Sequence, residues 1–181
     1  MSGFATNASF DPRETLPREL RDFLTITEID HADFLVDALF RAKFGEGPPE
    51  EAHHLACLYR GPDGASFLAG YSHMRPFGDV YLSGGSCTSG DTIRRMQPHE
   101  RAAVEASGGV WFWLLKYAFR KYADECDAFF GHCGNPRALQ VALAAGFSKT
   151  EHEPVIVNWH KPLHESIRRA LLAKVVALGE F

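Results

Sequence analysis

The sequence predicts an α/β (α+β) fold, a single domain in which helices flank a central mixed β-sheet. One observation is the stretch 108–147, where an apolar helix, an apolar strand, a capped helix and a further strand follow one another closely. Such a unit is of the βαβ type and contains a crossover connection. The other is a series of short alternating or β-branched segments earlier in the chain, which indicates strands.

The composition is that of an ordinary globular protein, and it excludes several classes. Apolar residues make up 45% of the 181 residues and charged residues 23%, which suits one domain with a proper core. The net charge of −4 and the lack of a lysine-rich tract predict no nucleic-acid partner. No apolar run approaches the roughly 20 residues that span a bilayer, so no membrane partner is predicted.

The cysteines and the N-terminal residues predict a cytoplasmic protein. Cys57, Cys87, Cys126 and Cys133 form no C-x-x-C pair and lie inside apolar segments. The N-terminus does not read as a secretory signal peptide, so reduced thiols are expected. The spacings of the histidines match no closed zinc pattern, so no metal is predicted.

We divide the chain into an arm over residues 1–22, a main domain over 23–162 and an amphipathic helix over 163–181. The arm is polar and has no sustained periodicity. The final helix carries an apolar stripe at helical spacing, made by Leu163, Ile167, Ala170, Leu171, Val175 and Leu178. This stripe must pack on the domain or on a partner, and from it we predict a homodimer or another close association.

The main domain begins with a strand over residues 23–29, where alternation and β-branched residues agree. Asp30 is expected to cap the next helix, which the glycines and prolines of residues 45–49 end. The apolar positions of this helix are predicted to be Phe34, Leu35, Ala38, Leu39 and Ala42. Residues 54–59 and 66–74 then form a hairpin about a strong turn signal at 61–64.

The central strand is predicted over residues 79–83 and is expected to end in the turn Gly84-Gly85-Ser86-Cys87. Residues 98–104 form a candidate helix in the region that follows. The apolar helix over residues 109–123 has few sides suited to water, so it should be buried against the centre of the sheet with Phe112 or Trp113 packed on it. An aromatic pocket formed by residues 111–113 is the alternative.

The segment after the apolar strand at 128–130 carries a more specific signal. Asn135 is a good N-cap, Pro136 suits the first helical position, and Gly146 supplies a left-handed stop. The string N-x-x-A-x-x-x-x-x-x-x-G-F, which ends at Phe147, resembles the end of the core of GNAT-type N-acyltransferases. The resemblance is clearest over residues 109–160 and faint over 23–90.

The resemblance implies an enzyme that transfers an acyl group from acetyl-CoA or another acyl-CoA to a small-molecule or peptide amine. In that family a glycine-rich loop before the preceding helix binds the pyrophosphate of acyl-CoA, and residues 109–115 occupy that place. The residues implied for this role are Gly108, Gly109, Trp111 and Asn135. Apart from the resemblance, Arg94, Arg95 or Arg101 could supply positive charge to an anionic ligand. Arginine suits the task because its guanidinium group matches phosphate.

Two positions depart from the family pattern. Trp111 stands where the loop has glycine or alanine, and we expect it to crowd the phosphate and weaken CoA binding. Ala142 stands where a tyrosine often protonates the leaving thiolate. A GNAT-fold protein that binds a ligand or partner without acyl transfer, or one with another reaction type, therefore stays open as an alternative.

The chemistry of acyl transfer selects the candidate catalytic residues. The amine must lose a proton and the thioester oxygen must be polarised. In the GNAT-like arrangement this happens where the fourth and fifth strands separate. The candidates there are His132, Cys87, His73 and Ser83, as base, nucleophile or polar contact. A histidine bonded to backbone at a strand end and a buried apolar cysteine are the structural alternatives.

Overall fold

Seven strands form one mixed sheet in the order β1-β2-β3-β4-β5-β7-β6. They are β1 (Leu24–Ile29), β2 (His53–Arg60), β3 (Ser66–Phe77), β4 (Val80–Thr88), β5 (Ala128–His132), β6 (Ser148–Lys149) and β7 (Val155–Asn158). Strands β1 to β4 are antiparallel, β4 and β5 are parallel, and β7 runs antiparallel to β5 and β6. The computed structural model describes residues 10–181, and the predicted fold class is confirmed.

Within residues 10–181, seven α-helices flank this sheet: α1 (Arg18–Arg21), α2 (Asp33–Phe44), α3 (Gly90–Arg95), α4 (Pro98–Ala106), α5 (Val110–Lys121), α6 (Pro136–Ala145) and α7 (Glu165–Leu178). Helices α5 and α6 cover one face, which we call the α5 face and which includes Tyr81 and Phe129. Helices α2 and α7 cover the other face, which we call the α2/α7 face and which includes Leu82 and Phe130. Neighbouring strand residues alternate between these faces, as a pleated strand requires.

Helix α5 is the central buried helix that its composition predicts. Leu114, Leu115 and Ala118 are fully buried. The residues that lie over β3 are Val110 and Leu114, which approach Gly70. The prediction that Phe112 or Trp113 packs on the sheet is wrong, since both are only partly buried at the edge of the core. A helix turns about 100° per residue, and Leu114 occupies the side that faces the sheet.

Helix α2 buries a different face from the predicted one. Ala32, Val36 and Phe40, spaced four residues apart, pack on Tyr71 of β3. Phe34 is 97% exposed, so the predicted apolar stripe faces outward for most of its length. Asp30 does not cap the helix, which begins at Asp33 after Ala32. The predicted and the observed apolar residues both have helical spacing, and the contact with Tyr71 of β3 decides which set is buried.

The two ends of the described chain pack on the core. Residues 1–9 of the predicted arm lie outside the described residues. In the rest of the arm, Leu16 and Leu20 are buried in the main core, and a 3-10 turn over Pro12–Thr15 contacts α5. On α7, Leu171 and Val175 pack against Leu82 and Phe130, while Ile167 and Leu178 stay partly exposed. The homodimer stays a prediction.

Candidate active site

The parallel pair β4 and β5 separates partway along its length. Pairing runs from Val80 opposite Ala128 to Ser83 opposite Gly131 and then stops. Strand β4 continues to Thr88, whereas β5 ends at His132. The backbone of β4 beyond Ser83 therefore has no strand on its β5 side, and an opening forms through the sheet. This is the separation that the sequence resemblance implies.

A β-bulge in β4 lies at the start of the opening. Ser72 pairs with Ser86 and Met74 pairs with Ser83, so Gly84 and Gly85 of β4 together face the single residue His73 of β3. Bulges bend a strand and are frequent beside active sites. The predicted Gly84–Cys87 turn is wrong, because the bulge absorbs the glycine pair and β4 runs on.

The two bulge glycines leave room for side chains from neighbouring elements. A Cβ atom at Gly84 would lie 1.9 Å from Nε2 of His73, and one at Gly85 would lie 2.8 Å from Cζ of Phe40. Both contacts are far below the ordinary van der Waals range. Glycine is therefore required at both positions by the close approach of an imidazole and a phenyl ring.

One cleft of about 1330 Å³ passes through the opening and connects the two faces of the sheet. On the α5 face it reaches the loop before α5, the start of α6 and Arg101 of α4. On the α2/α7 face it is lined by His73, Arg75, His132, Phe40, Lys43 and Glu180. The cleft thus joins a helix N-terminus on one side to two histidines on the other.

The loop before α5 forms the end of the cleft on the α5 face. Gly108 has φ of 106° and Gly109 has φ of 91°, a backbone region that side chains disfavour. No side chain caps α5, and a Cβ atom at Gly109 would meet nothing within 4 Å. The first amides of α5 are therefore uncapped, which is the arrangement that attracts anions at a helix N-terminus.

Trp111 does not stand over Gly109. Its side chain is partly buried and packs against the main core, and its Nε1 atom is buried without a hydrogen-bond partner among the described residues. It contributes to the wall of the cleft, yet the space around Gly109 stays open. The geometry therefore argues against the crowding that the sequence predicts for this tryptophan.

At the end of the cleft on the α5 face, positive charge does not come from Arg94 and Arg95. Arg94 pairs with Asp91, and Arg95 lies over the ring of Phe67 at 5.1 Å. Neither of them lines the cleft, whereas Arg101 and Arg137 do. Of the three arginines that the sequence suggests, only Arg101 lines the cleft, and the sequence analysis does not identify Arg137.

Asn135 caps α6 as its sequence predicts. Its Oδ1 atom accepts hydrogen bonds from the amides of Arg137 at 3.0 Å and Ala138 at 3.1 Å. The same residue contributes to the wall of the cleft. Because Arg137 is the second residue of α6, the cap also fixes the position of its backbone at the start of the helix. The predicted N-cap at Asn135 is therefore the sequence signal that could have identified Arg137.

His73 is nine-tenths buried on the α2/α7 face. Its exposed fraction is 8%, and its ring lies 6.0 Å from that of Phe40 and 5.9 Å from that of Tyr71. Burial, with smaller contributions from His54 and Arg75, lowers the pKa of His73 to about 4. The imidazole is therefore neutral at pH 7.

His132 lies on the other side of the opening, on the same face as His73. Its Nδ1 atom is 3.9 Å from a carboxylate oxygen of Glu180, and its ring is 5.8 Å from that of Phe181. It is more accessible than His73. The residues after α7 thus place an acidic side chain beside this histidine, a contact that sequence reasoning missed because it joins distant parts of the chain.

The other two candidates sit in less suitable places. Ser83 is 8% exposed, and alternation along β4 directs its side chain to the α5 face, away from both histidines. Cys87 is buried beneath α2, and burial raises the pKa of its thiol to about 11. A thiol with so little thiolate at pH 7 is a poor nucleophile.

A second polar cluster lies at the other end of the strands and does not line the cleft. Nδ1 of His53 is 2.7 Å from a carboxylate oxygen of Glu28, which also pairs with Lys121, and Tyr81 donates to Glu125 at 2.7 Å. Among residues 10–181, no group of three or more His, Cys, Asp or Glu side chains is placed to hold a metal, and no helix is long and apolar enough to cross a bilayer.

Comparisons with known proteins give structural matches only. No family model matches the sequence, and no curated protein matches it. The ribosomal-protein-S18-alanine N-acetyltransferase of Escherichia coli is similar in structure, with TM-score 0.46, 11% identity, and coverage of 78% of this chain and 97% of its own. A putative N-acetyltransferase of E. coli bound to coenzyme A gives TM-score 0.48, 15% identity, and coverage of 75% and 98%.

A third similar structure is a chimera of a Vibrio cholerae spermidine N-acetyltransferase, with TM-score 0.46, 12% identity, and coverage of 75% of this chain and 95% of its own. The separation of β4 from β5 and the glycine loop before α5 are the features that the sequence resemblance implied. Together with the mixed sheet, they give this chain the arrangement that the resemblance to GNAT-type acyltransferases implies.

Proposed function

We propose that this protein transfers an acyl group from an acyl-CoA to an amine carried by a small molecule or a peptide. The observation that carries the proposal is the single cleft through the sheet, with the uncapped N-terminus of α5 at one end and His73 and His132 at the other. An anion site and a proton-accepting site on opposite sides of one opening suit a reaction between two substrates that enter from opposite faces.

The residues on the α5 face fit the diphosphate of a CoA thioester. Open space at Gly109 lets a phosphate approach the backbone, and the helix N-terminus favours negative charge. Arg101 and Arg137 line the same end of the cleft. When bound, the thioester would supply an activated carbonyl carbon to the opening between β4 and β5.

On the α2/α7 face, His132 is the better proton acceptor of the two histidines. It is accessible from the cleft, and its Nδ1 atom lies 3.9 Å from a carboxylate oxygen of Glu180. In the overall reaction a C–N bond forms, the C–S bond breaks, and one proton leaves the amine while the sulfur ends as a thiol. The role of His132 is to accept the proton of the attacking amine.

The first test is calorimetric titration of the protein with acetyl-CoA. We expect Arg101→Ala and Arg137→Ala each to weaken binding by roughly tenfold, because each removes a charged hydrogen-bond donor. Arg94→Ala is the matched control, since Arg94 pairs with Asp91 away from the cleft, and it should bind like the wild type. Trp111→Gly should not tighten binding. No detectable binding by the wild type would refute the proposal.

Turnover is tested separately by following thiol release from acetyl-CoA with an amine panel that contains a polyamine, an arylalkylamine and a set of dipeptides. His132→Gln should bind acetyl-CoA normally and lose roughly 10²–10⁴-fold in rate. The position of the missing tyrosine, Ala142, is fully buried, and this favours a second candidate function. Tight binding without release of thiol to any amine would replace the transferase by a protein that binds acyl-CoA without transfer.

A further inference from the structure

His73 has two ring nitrogens, and no described residue forms a hydrogen bond with either of them. Nδ1 is buried and has no partner. Nε2 lies directly over the α-carbon of Gly84, in the place that a side chain would occupy. Buried polar atoms in folded proteins are nearly always paired, so an imidazole with no partner calls for a functional explanation.

The described residues around His73 do not offer it a hydrogen-bond partner. Its cross-strand neighbour His54 is itself buried and is bonded through Nδ1 to the hydroxyl of Tyr71 at 2.7 Å. Tyr71 and Phe40 present rings to the imidazole, and Arg75, which is on the same face, is exposed. The free nitrogen of His73 is therefore available to a molecule in the cleft, which this side chain lines.

The position over Gly84 is the point where the opening between β4 and β5 begins. Ser83 is the last residue of β4 that pairs with β5, and the bulge at Gly84 and Gly85 follows it directly. If the proposed function holds, the reacting carbonyl group lies in this opening. The imidazole reaches towards it across the glycine, from the face on which the amine would approach.

We propose that His73 is a catalytic residue that donates a hydrogen bond from Nε2 to the carbonyl oxygen of the thioester. The inference rests on the proposed acyl transfer and adds to it a side chain that polarises the bond under attack. Hydrogen-bond donors aimed at an oxygen that gains negative charge are among the largest contributors to catalysis. A neutral imidazole can fill this role, because it keeps one N–H group.

Proton acceptance is the less suitable role for this histidine. Burial lowers the pKa of His73 to about 4, and the nearby His54 and Arg75 add to that effect. A group that binds a proton so weakly cannot hold the proton of an ammonium ion near pH 7. With Nδ1 enclosed, the tautomer that has its proton on Nε2 places the only N–H group of the ring at the opening. His132 remains the proton acceptor in this scheme.

The test uses the carbonyl group of bound acetyl-CoA and needs no acceptor amine. Isotope-edited infrared spectra are recorded for [1-13C-acetyl]-CoA with the wild type, His73→Leu and His73→Gln. A hydrogen bond to the oxygen lowers the stretching frequency of the carbonyl. We expect a lowered frequency in the wild type, its partial return towards the free value in His73→Leu, and its retention in His73→Gln, whose amide donates from a similar position.

Rates with an amine that the wild type accepts give a second readout. His73→Leu should lose roughly 10²–10³-fold in kcat with little change in KM for acetyl-CoA, because the hydrogen bond is strongest in the transition state. His73→Gln should keep most of that rate. Gly84→Ala, whose Cβ would displace the ring, should behave like His73→Leu, and melting curves confirm that each variant is folded.

Each outcome decides a different point. If the wild type does not bind acetyl-CoA, the proposed function fails and the inference falls with it. If the wild type binds and His73→Leu binds with an unchanged carbonyl frequency, the inference alone is wrong. If His73→Gln is as slow as His73→Leu, the hydrogen-bond donor role is wrong.

Discussion

Replacing Leu114 by alanine is expected to lower the free energy of unfolding by about 2–5 kcal/mol. Leu114 is fully buried in the middle of α5 and lies over Gly70 of β3. Truncation there removes apolar contacts and leaves a cavity between helix and sheet, which the rigid surroundings fill only in part. Chemical denaturation at pH 7 measures the change directly.

Phe112→Ala is the matched comparison on the same helix. Phe112 is only partly buried and packs edge to face with Trp113 at a ring distance of 4.9 Å. We expect its loss to cost about 1 kcal/mol, as is usual for positions at the edge of a core. Equal losses from the two variants would contradict the orientation of α5 described here, and a larger loss from Phe112→Ala would restore the orientation that the sequence favours.

This contrast shows what the sequence of α5 can and cannot predict. A helix that is apolar on nearly all sides must be buried, and the composition of residues 110–119 is enough to establish that. The same composition cannot say which side meets the sheet, because every side is a candidate. Helix α2 shows the opposite case: it has two apolar stripes, and the one built from Val36 and Phe40 is buried only because Tyr71 lies opposite.

The candidate site also combines features that the local sequence predicts with features that depend on contacts between distant residues. Local signals found Asn135, Gly108 and Gly109, since a cap and a pair of positive-φ glycines are written in neighbouring residues. The sequence predicts a turn at Gly84 and Gly85, where the structure has a bulge, because two adjacent glycines are compatible with either a turn or a bulge. Its identity depends on pairing with β3, which the sequence of β4 does not contain.

Long-range contacts account for the rest of what sequence reasoning missed. Glu180 approaches His132 only because α7 returns across β5. Arg101 and Arg137 come from separate helices and meet only at the cleft, whereas Arg94 and Arg95, though adjacent to each other, face elsewhere. Charge near a predicted phosphate loop is therefore a poor guide until the helices that carry it have been placed.

Acid is expected to destabilise this protein through His73. Its pKa is about 4 in the folded chain, and its ordinary value is 6.5. Between these two pH values the unfolded chain binds more protons than the folded one, so the free energy of unfolding falls as the pH falls from 6.5 and the loss is complete below 4. Since one pKa unit corresponds to about 1.4 kcal/mol, His73 accounts for a loss of about 3 kcal/mol.

Urea denaturation at half-unit steps between pH 7 and pH 4 measures this dependence, and the slope attributable to His73 should vanish in His73→Gln. His54, whose pKa is also lowered by burial, leaves a residual slope of the same sign in that variant. Met74→Leu is the control, because it changes the neighbouring residue of β3 without removing a titrating group and should keep the slope of the wild type. An unchanged slope in His73→Gln would mean that His73 binds a proton equally well in the folded and unfolded chains.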